Sequence, residues 1–306
     1  MSGTGEVAAT TLLLPARRRV AGAPGPRTGA ALGRADRLPD GEAGEQAQLR
    51  RHVDLLPRGW PLAAITRSLD ADDAPLHAWL RADPTHVRPD MTGARVLGIG
   101  GLGLTPREAD ALAAALRTTF GDAGMTISAP HPERWYIALP RGARIPSFAA
   151  PEAVLGDDLA AHLPDGPDGR RWRALLNEAQ VVLHNHPVNA ERVANGRAAV
   201  NSLTFWGGGA LPDHVRMPAR TVHSDASDLR ALAKLAGVAS GGDAGPVLED
   251  QRVLRDAAAL EAALDARLAA LPADGTLVLD FADGARYALR RRQRLRFWRR
   301  PLASLS

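Results

Sequence analysis

The chain has 306 residues, of which 45% are apolar and 24% charged. That is enough to bury a core and too apolar for wholesale disorder. Cysteine is absent, which excludes disulfides, zinc–thiolate centres, iron–sulfur clusters and a cysteine nucleophile. The formal charge of +4 is modest, but Lys234 is the only lysine and arginine supplies every other cation.

The first element predicted is a short buried strand over residues 10–14, Thr-Thr-Leu-Leu-Leu. No Lys or Arg precedes it and Arg17-Arg18-Arg19 follows at once, the reverse of a signal-peptide order. No run approaches the roughly 20 apolar residues of a membrane-spanning helix, so the chain reads as cytoplasmic with no membrane partner. Residues 21–45 are rich in Gly, Pro and Ala without periodicity and read as a surface loop. Apolar residues recur at helical spacing over 49–80, broken by Pro57 and Pro61, which predicts two helices with Trp60 and Trp79 on the core side.

Residues 94–99 predict a strand and Gly100 to Gly103 a turn. Thr105-Pro106-Arg107-Glu108 then has the pattern of a capping box with Pro at the first helical position. The helix should cover 106–120 with Ala109, Leu112, Ala113 and Leu116 buried, and strands should follow at 125–128 and 135–139. A helix over 170–180 leads into an apolar run at 181–183, and a strand at 201–205 ends in Gly207-Gly208-Gly209. Helices near 225–235 and 255–271 precede a hairpin, 276–281 and 286–289, joined by Asp283-Gly284. The whole is an α/β chain of mixed sheet layers flanked by helices, with a C-terminal β-hairpin. Composition divides it into an N-terminal strand and Gly/Pro-rich loop (1–45), an α/β region (46–250) and a C-terminal helix with an arginine-rich hairpin (251–306).

Four motifs carry possible chemistry. Gly98-Ile99-Gly100-Gly101-Leu102-Gly103 fits G-x-G-x-x-G, but no acidic residue ends the next strand, so it reads as a turn rather than a dinucleotide site. His184 and His186, two apart on an extended segment, would point the same way and could grip a metal, yet nothing in the spacing of His214, His223 or Asp225 supplies a third ligand. With Arg192 the same segment reads better as an anion site. The glycines at 207–209 suit either a sharp turn or close approach to a phosphate. The tail Arg290-Arg291-Arg292 to Phe297-Trp298-Arg299-Arg300 fits a nucleic-acid or other anionic partner, or an edge strand protected by charge.

Taken together, these segments resemble the archaeal-type cofactor-independent phosphoglycerate mutases of the alkaline phosphatase superfamily. The resemblance rests on Arg81-Ala82-Asp83, Thr85, the Thr-Pro-x-Glu-Ala helix start, His131 and Arg134, and above all His186-Pro187-Val188-Asn189-Ala190-Glu191-Arg192 with Gly196 and Asn201-Ser202-Leu203. It covers roughly residues 80–210. The arrangement that places Trp206 where the mutases have arginine, with the Phe297-Trp298 tail, is similar to a bacterial group of RpfE-type regulatory proteins over nearly the whole chain. The mutase resemblance implies a Ser-type nucleophile and two divalent metals held by Asp and His. Here the first strand ends Leu13-Leu14-Pro15-Ala16-Arg17 where the family has Asp-Gly-x-x-Asp, and the later Asp…His…Asp motif is missing. The expectation is therefore a non-catalytic regulatory relative with no catalytic residues, metal or cofactor. It would keep a pocket for a small phosphorylated or carboxylate ligand, formed by His186, Asn189, Arg192 and Asn201 with His131 and Arg134. The alternatives are an active 2,3-bisphosphoglycerate-independent phosphoglycerate mutase and a nucleic-acid- or protein-binding regulator acting through the arginine-rich tail.

Overall fold

The computed structural model describes residues 9–89, 93–242 and 245–305. Its packing divides the chain into two compact units: Met1–Leu56 with His214–Ser306, and Pro57–Asp213. The divisions drawn from composition, at 45/46 and 250/251, fall elsewhere. The strand Ala9–Leu14 takes both its neighbours, Val247–Asp250 and Thr276–Phe281, from the far end of the chain. Pairing over such a separation leaves no mark in local composition.

The discontinuous unit is built on a seven-stranded sheet. Its order is Ala239–Ser240, Thr221–His223, Val247–Asp250, Ala9–Leu14, Thr276–Phe281, Arg286–Leu289 and Asp36–Arg37. The first five run parallel, and Arg286–Leu289 pairs antiparallel with its neighbour on either side. Leu12, Leu13 and Leu14 are fully buried, as an unbroken apolar run at the centre of a parallel sheet requires. The helices Pro26–Arg34 and Ala257–Ala270 cover one face, packing Leu32, Leu260 and Leu264 against Leu12, Leu277 and Leu279. The hairpin turns at Gly284 with φ +90°, as Asp-Gly predicts.

Two expectations fail in this unit. Residues 21–45 are not a loop, since they hold the helix Pro26–Arg34 and the edge strand Asp36–Arg37. The glycines that disguised the helix have a packing role. A Cβ on Gly33 would stand 2.2 Å from the Arg300 carbonyl oxygen, and one on Gly29 2.7 Å from that of Leu302. The C-terminal segment crosses the helix there, and the Leu302 amide donates to the Gly29 carbonyl at 2.8 Å. Nor is the arginine-rich tail an edge strand. It forms a short 3-10 turn, Arg291–Leu295, tied down by Arg290 and Arg296 on Asp36 (3.1 and 2.5 Å) and by Arg299 on the Ala35 carbonyl (2.9 Å).

The second unit is organised by one long strand, Ala78–Pro89. Ser202–Ala210 pairs along one side, and Arg134–Leu139 followed by Ala94–Ile99 along the other. Thr126–His131 extends the sheet beyond Arg134–Leu139. Alternation splits the faces. Leu80 and Ala82 face the core made with the helices Pro106–Asp122 and Gly166–His184. Trp79, with Tyr136, packs instead on Ala63 and Ala64 of the helix Leu62–Asp70. The capping box at Thr105 and Glu108 is present, and Ala109, Leu112, Ala113 and Leu116 are buried.

Residues 78–80, read as helical, belong to the long strand, because Trp79 and Leu80 are needed on opposite faces. The apolar run at 181–183 is the last turn of the helix Gly166–His184, which is longer than the 170–180 expected. The strand at 202 runs on through the glycines to Ala210. A Cβ on Gly209 (φ +147°) would meet Pro61 at 2.7 Å, so these glycines make room for the chain itself. No helix among the described residues is long and apolar enough to cross a membrane.

Candidate functional site

In an open parallel sheet, ligands are held outside the carboxyl ends of the strands, where the order of strands reverses. In the discontinuous unit that edge is formed by the ends of Thr221–His223, Val247–Asp250, Ala9–Leu14 and Thr276–Phe281. It is rich in carboxylates, and Asp250, Asp228, Asp280, Asp283 and Glu249 are each held by an arginine. Asp250 accepts from Arg252 Nε and Nη2 at 2.8 and 2.7 Å, and from Ser224 Oγ at 2.8 Å. Arg252 also reaches both oxygens of Asp228 at 3.2 Å. Asp280, fully buried, takes Arg51 Nη2 at 2.6 Å and His52 Nε2 at 2.8 Å. Arg17 binds Asp283 at 2.8 Å, and Arg267 binds Glu249. A cavity of about 390 Å³ opens here beside His223, Ser224, Asp225, Asp250 and Arg267.

The electrostatics follow from these contacts. Burial pushes the Asp250 and Asp280 carboxyls up, but hydrogen bonds from Arg252 to the first, and from His52 and Arg51 to the second, outweigh it and hold both below the ordinary carboxylate range. A guanidinium is a permanent, non-exchanging cation that engages a carboxylate through two parallel bonds. The two divalent metals implied by the mutase resemblance need carboxylates open to coordination. This edge does not fit them, because Asp250, Asp228, Asp280, Asp283 and Glu249 are already committed to arginine. Among the described residues no cluster of three or more His, Asp or Glu side chains is placed to hold a metal. Sequence reading missed Arg252, Asp250 and Asp228. The available signal was Val247-Leu248 after Pro246, a short apolar pair that opens a strand with acidic residues at its end.

The predicted ligand residues all lie in the second unit, where each has partners within the chain. Asn189 donates to the Leu183 and Val200 carbonyls, both at 2.7 Å, and accepts from the Val200 amide at 2.8 Å. Arg192, fully buried, binds the Leu102 carbonyl at 2.6 Å, the Ala198 carbonyl at 2.9 Å and Glu108 at 3.3 Å. Asn201 pairs with both backbone groups of Val87 at 2.8 Å. His186 caps the helix Pro187–Ala194, accepting from the Val188 amide, while His184 ends the preceding helix. The extended segment needed for two histidines to share a metal is therefore not formed. Arg134 makes a bidentate pair with Asp70 (2.8 and 2.5 Å), and His131 Nδ1 accepts from the Glu133 amide. Burial, then the Arg134 charge, push the His131 imidazole down. Asn189, Arg192 and Asn201 fasten loops, because buried backbone groups in irregular segments must find partners, and Arg134 is committed to Asp70.

The glycine loop is filled in the same way. Glu133 accepts from the Leu102 and Leu104 amides at 3.2 Å, so an internal carboxylate stands where a bound anion would. Arg81 donates to Asp83 at 2.7 Å, and the Trp206 indole donates to the other oxygen of Asp83 at 2.7 Å. Arg81 lies over the Trp206 ring, 5.0 Å from its centroid. Burial raises the Asp83 carboxyl despite both partners.

No family model matches the chain. It is 39% identical over 62 residues to the 2,3-bisphosphoglycerate-independent phosphoglycerate mutase of Methanosarcina mazei, a stretch covering 20% of this chain and 16% of that protein. It is 37% identical over 62 residues, with the same shares, to a probable enzyme of the same name from Geobacter sulfurreducens. The solved structure of a cofactor-independent phosphoglycerate mutase from Thermoplasma acidophilum aligns with 93% of this chain and 89% of its own, at 16% identity and a TM-score of 0.40. The sequence match spans about a sixth of the length of the curated relatives, and over that stretch this chain is related to the cofactor-independent phosphoglycerate mutases.

Proposed function

We propose that the chain is a non-catalytic relative of the cofactor-independent phosphoglycerate mutases, a cytoplasmic regulator of the RpfE type that acts by binding rather than by phosphoryl transfer. The observation that carries this reading is Arg252, wedged between Asp250 and Asp228 at the carboxyl edge of the parallel sheet. Phosphoryl transfer in the alkaline phosphatase superfamily depends on metals that neutralise developing charge and activate the nucleophile. An arginine neutralises the carboxylates of this edge but offers no coordination position and cannot activate a hydroxyl. Arg17, at the end of the first strand, supports the same reading through its pair with Asp283.

The test is a coupled mutase assay on purified full-length protein with 3-phosphoglycerate, with and without manganese. The expected result is no turnover above the blank in either condition, and no saturable heat on titrating manganese chloride. Manganese-dependent formation of 2-phosphoglycerate would overturn the reading.

A further inference from the structure

The discontinuous unit holds a larger cavity, of about 730 Å³, bounded by the helices Pro26–Arg34 and Ala257–Ala270 and the arginine-rich turn. It stands apart from the carboxyl edge of the sheet and shares no lining residue with the cavity there. Its size suits a small organic ligand. The apolar part of its lining is aliphatic, including Ala30, Ala31, Leu268 and Leu289, with no aromatic ring.

The rest of the lining is cationic. Five arginines meet one carboxylate, Asp265. Arg27 is paired with that Asp265 and Arg290 with Asp36. Among the described residues Arg34, Arg291 and Arg294 have no carboxylate partner: Arg34 reaches the Arg294 carbonyl at 3.3 Å and Arg291 the Ala269 carbonyl at 2.9 Å. Arg34 Nε is buried with no hydrogen-bond acceptor at all. Buried polar groups in native proteins are almost always satisfied. Arg291 and Arg294 are exposed and can be solvated, so the buried Arg34 Nε is the group that lacks an acceptor, and the excess of arginine over carboxylate around the cavity favours an anion as the molecule that supplies one.

We infer that this cavity binds an amphiphilic organic anion, an aliphatic body with a phosphate-type head of two negative charges. Planar guanidinium forks match phosphate oxygens in pairs, while the alanines and leucines take the hydrocarbon. An inorganic anion would leave the apolar lining unused, and a neutral alkyl chain would leave the arginines uncompensated.

Calorimetry of the full chain with octyl phosphate below its micelle concentration tests the assignment, with inorganic phosphate and octanol as the two half-ligands. Saturable binding of one octyl phosphate per chain is expected, at least tenfold tighter than either half. The double variant Arg291→Ser/Arg294→Ser should weaken it by roughly tenfold or more, the usual effect of losing a charged hydrogen bond. Ala30→Trp, which fills the cavity from its wall, should abolish octyl phosphate binding while the circular dichroism spectrum and melting temperature stay near wild type. No saturable heat with octyl phosphate, or unchanged affinity in the arginine double variant, overturns the inference. So does arginine-dependent, salt-sensitive binding of a single-stranded oligonucleotide that octyl phosphate does not displace, because the arginines would then serve a nucleic-acid surface.

Discussion

Arg252→Ala removes the cation shared by Asp250 and Asp228. Asp250 is 6% exposed and Asp228 23%, so the two losses differ in size. The Asp228 contact is half-solvated and contributes no more than about 1 kcal/mol. Asp250 is left as a buried carboxylate with only the Ser224 hydroxyl and the backbone amide of residue 252 as donors, and stripping the charged partner from a buried ion pair costs about 3–5 kcal/mol. Urea denaturation followed by circular dichroism reads this directly. With a slope of about 2 kcal/mol per molar, the midpoint of the affected transition should fall by about 1.5–2.5 M. Arg252→Lys should recover only part, since it keeps the charge but loses the two parallel bonds. The pH dependence fixes the sign. Asp250 is more acidic folded than unfolded, so its pairing stabilises the fold above about pH 4 and is lost as pH falls through the folded value. The gap between wild type and Arg252→Ala should therefore close on acidification. A loss under about 1 kcal/mol at pH 7, or a gap that widens in acid, would refute the account.

Three further substitutions probe the rest of the structure. Arg192→Ala should destabilise the second unit by about 3–5 kcal/mol, because it deletes a fully buried cation hydrogen-bonded to two carbonyls and Glu108; a folded, stable variant that had merely lost affinity for 3-phosphoglycerate would return this residue to a ligand site. Trp206→Phe keeps the ring beside Arg81 but removes a donor from buried Asp83, and thermal or urea melts should register a loss of about 1.5–3 kcal/mol. Gly33→Ala places a methyl against the Arg300 carbonyl and should cost about 1–3 kcal/mol, with the C-terminal segment becoming the first site cut in limited proteolysis.

Where the physics is local, the sequence alone determined the outcome. Thr105 and Glu108 specify a helix start through their own hydrogen bonds, the spacing of Ala109, Leu112 and Leu116 specifies its buried face, and Asp283-Gly284 specifies a hairpin. The apolar run at 12–14 could only be an inner strand. What tertiary structure decided was the meaning of residues whose partners lie far along the chain. Gly29 and Gly33 looked like loop residues until the C-terminal segment was found crossing them. Asn189, Arg192 and Asn201 looked like a ligand set, because side chains that bind an anion and side chains that bind a buried carbonyl are the same types at the same spacing. Only the position of the acceptor tells them apart. Asp250 and Arg252 are two residues apart, yet their place at a sheet edge depends on pairing with a strand from the opposite end of the sequence, Leu13 against Asp250. Polar chemistry is specified by what stands opposite a group, and that is settled when the chain closes on itself.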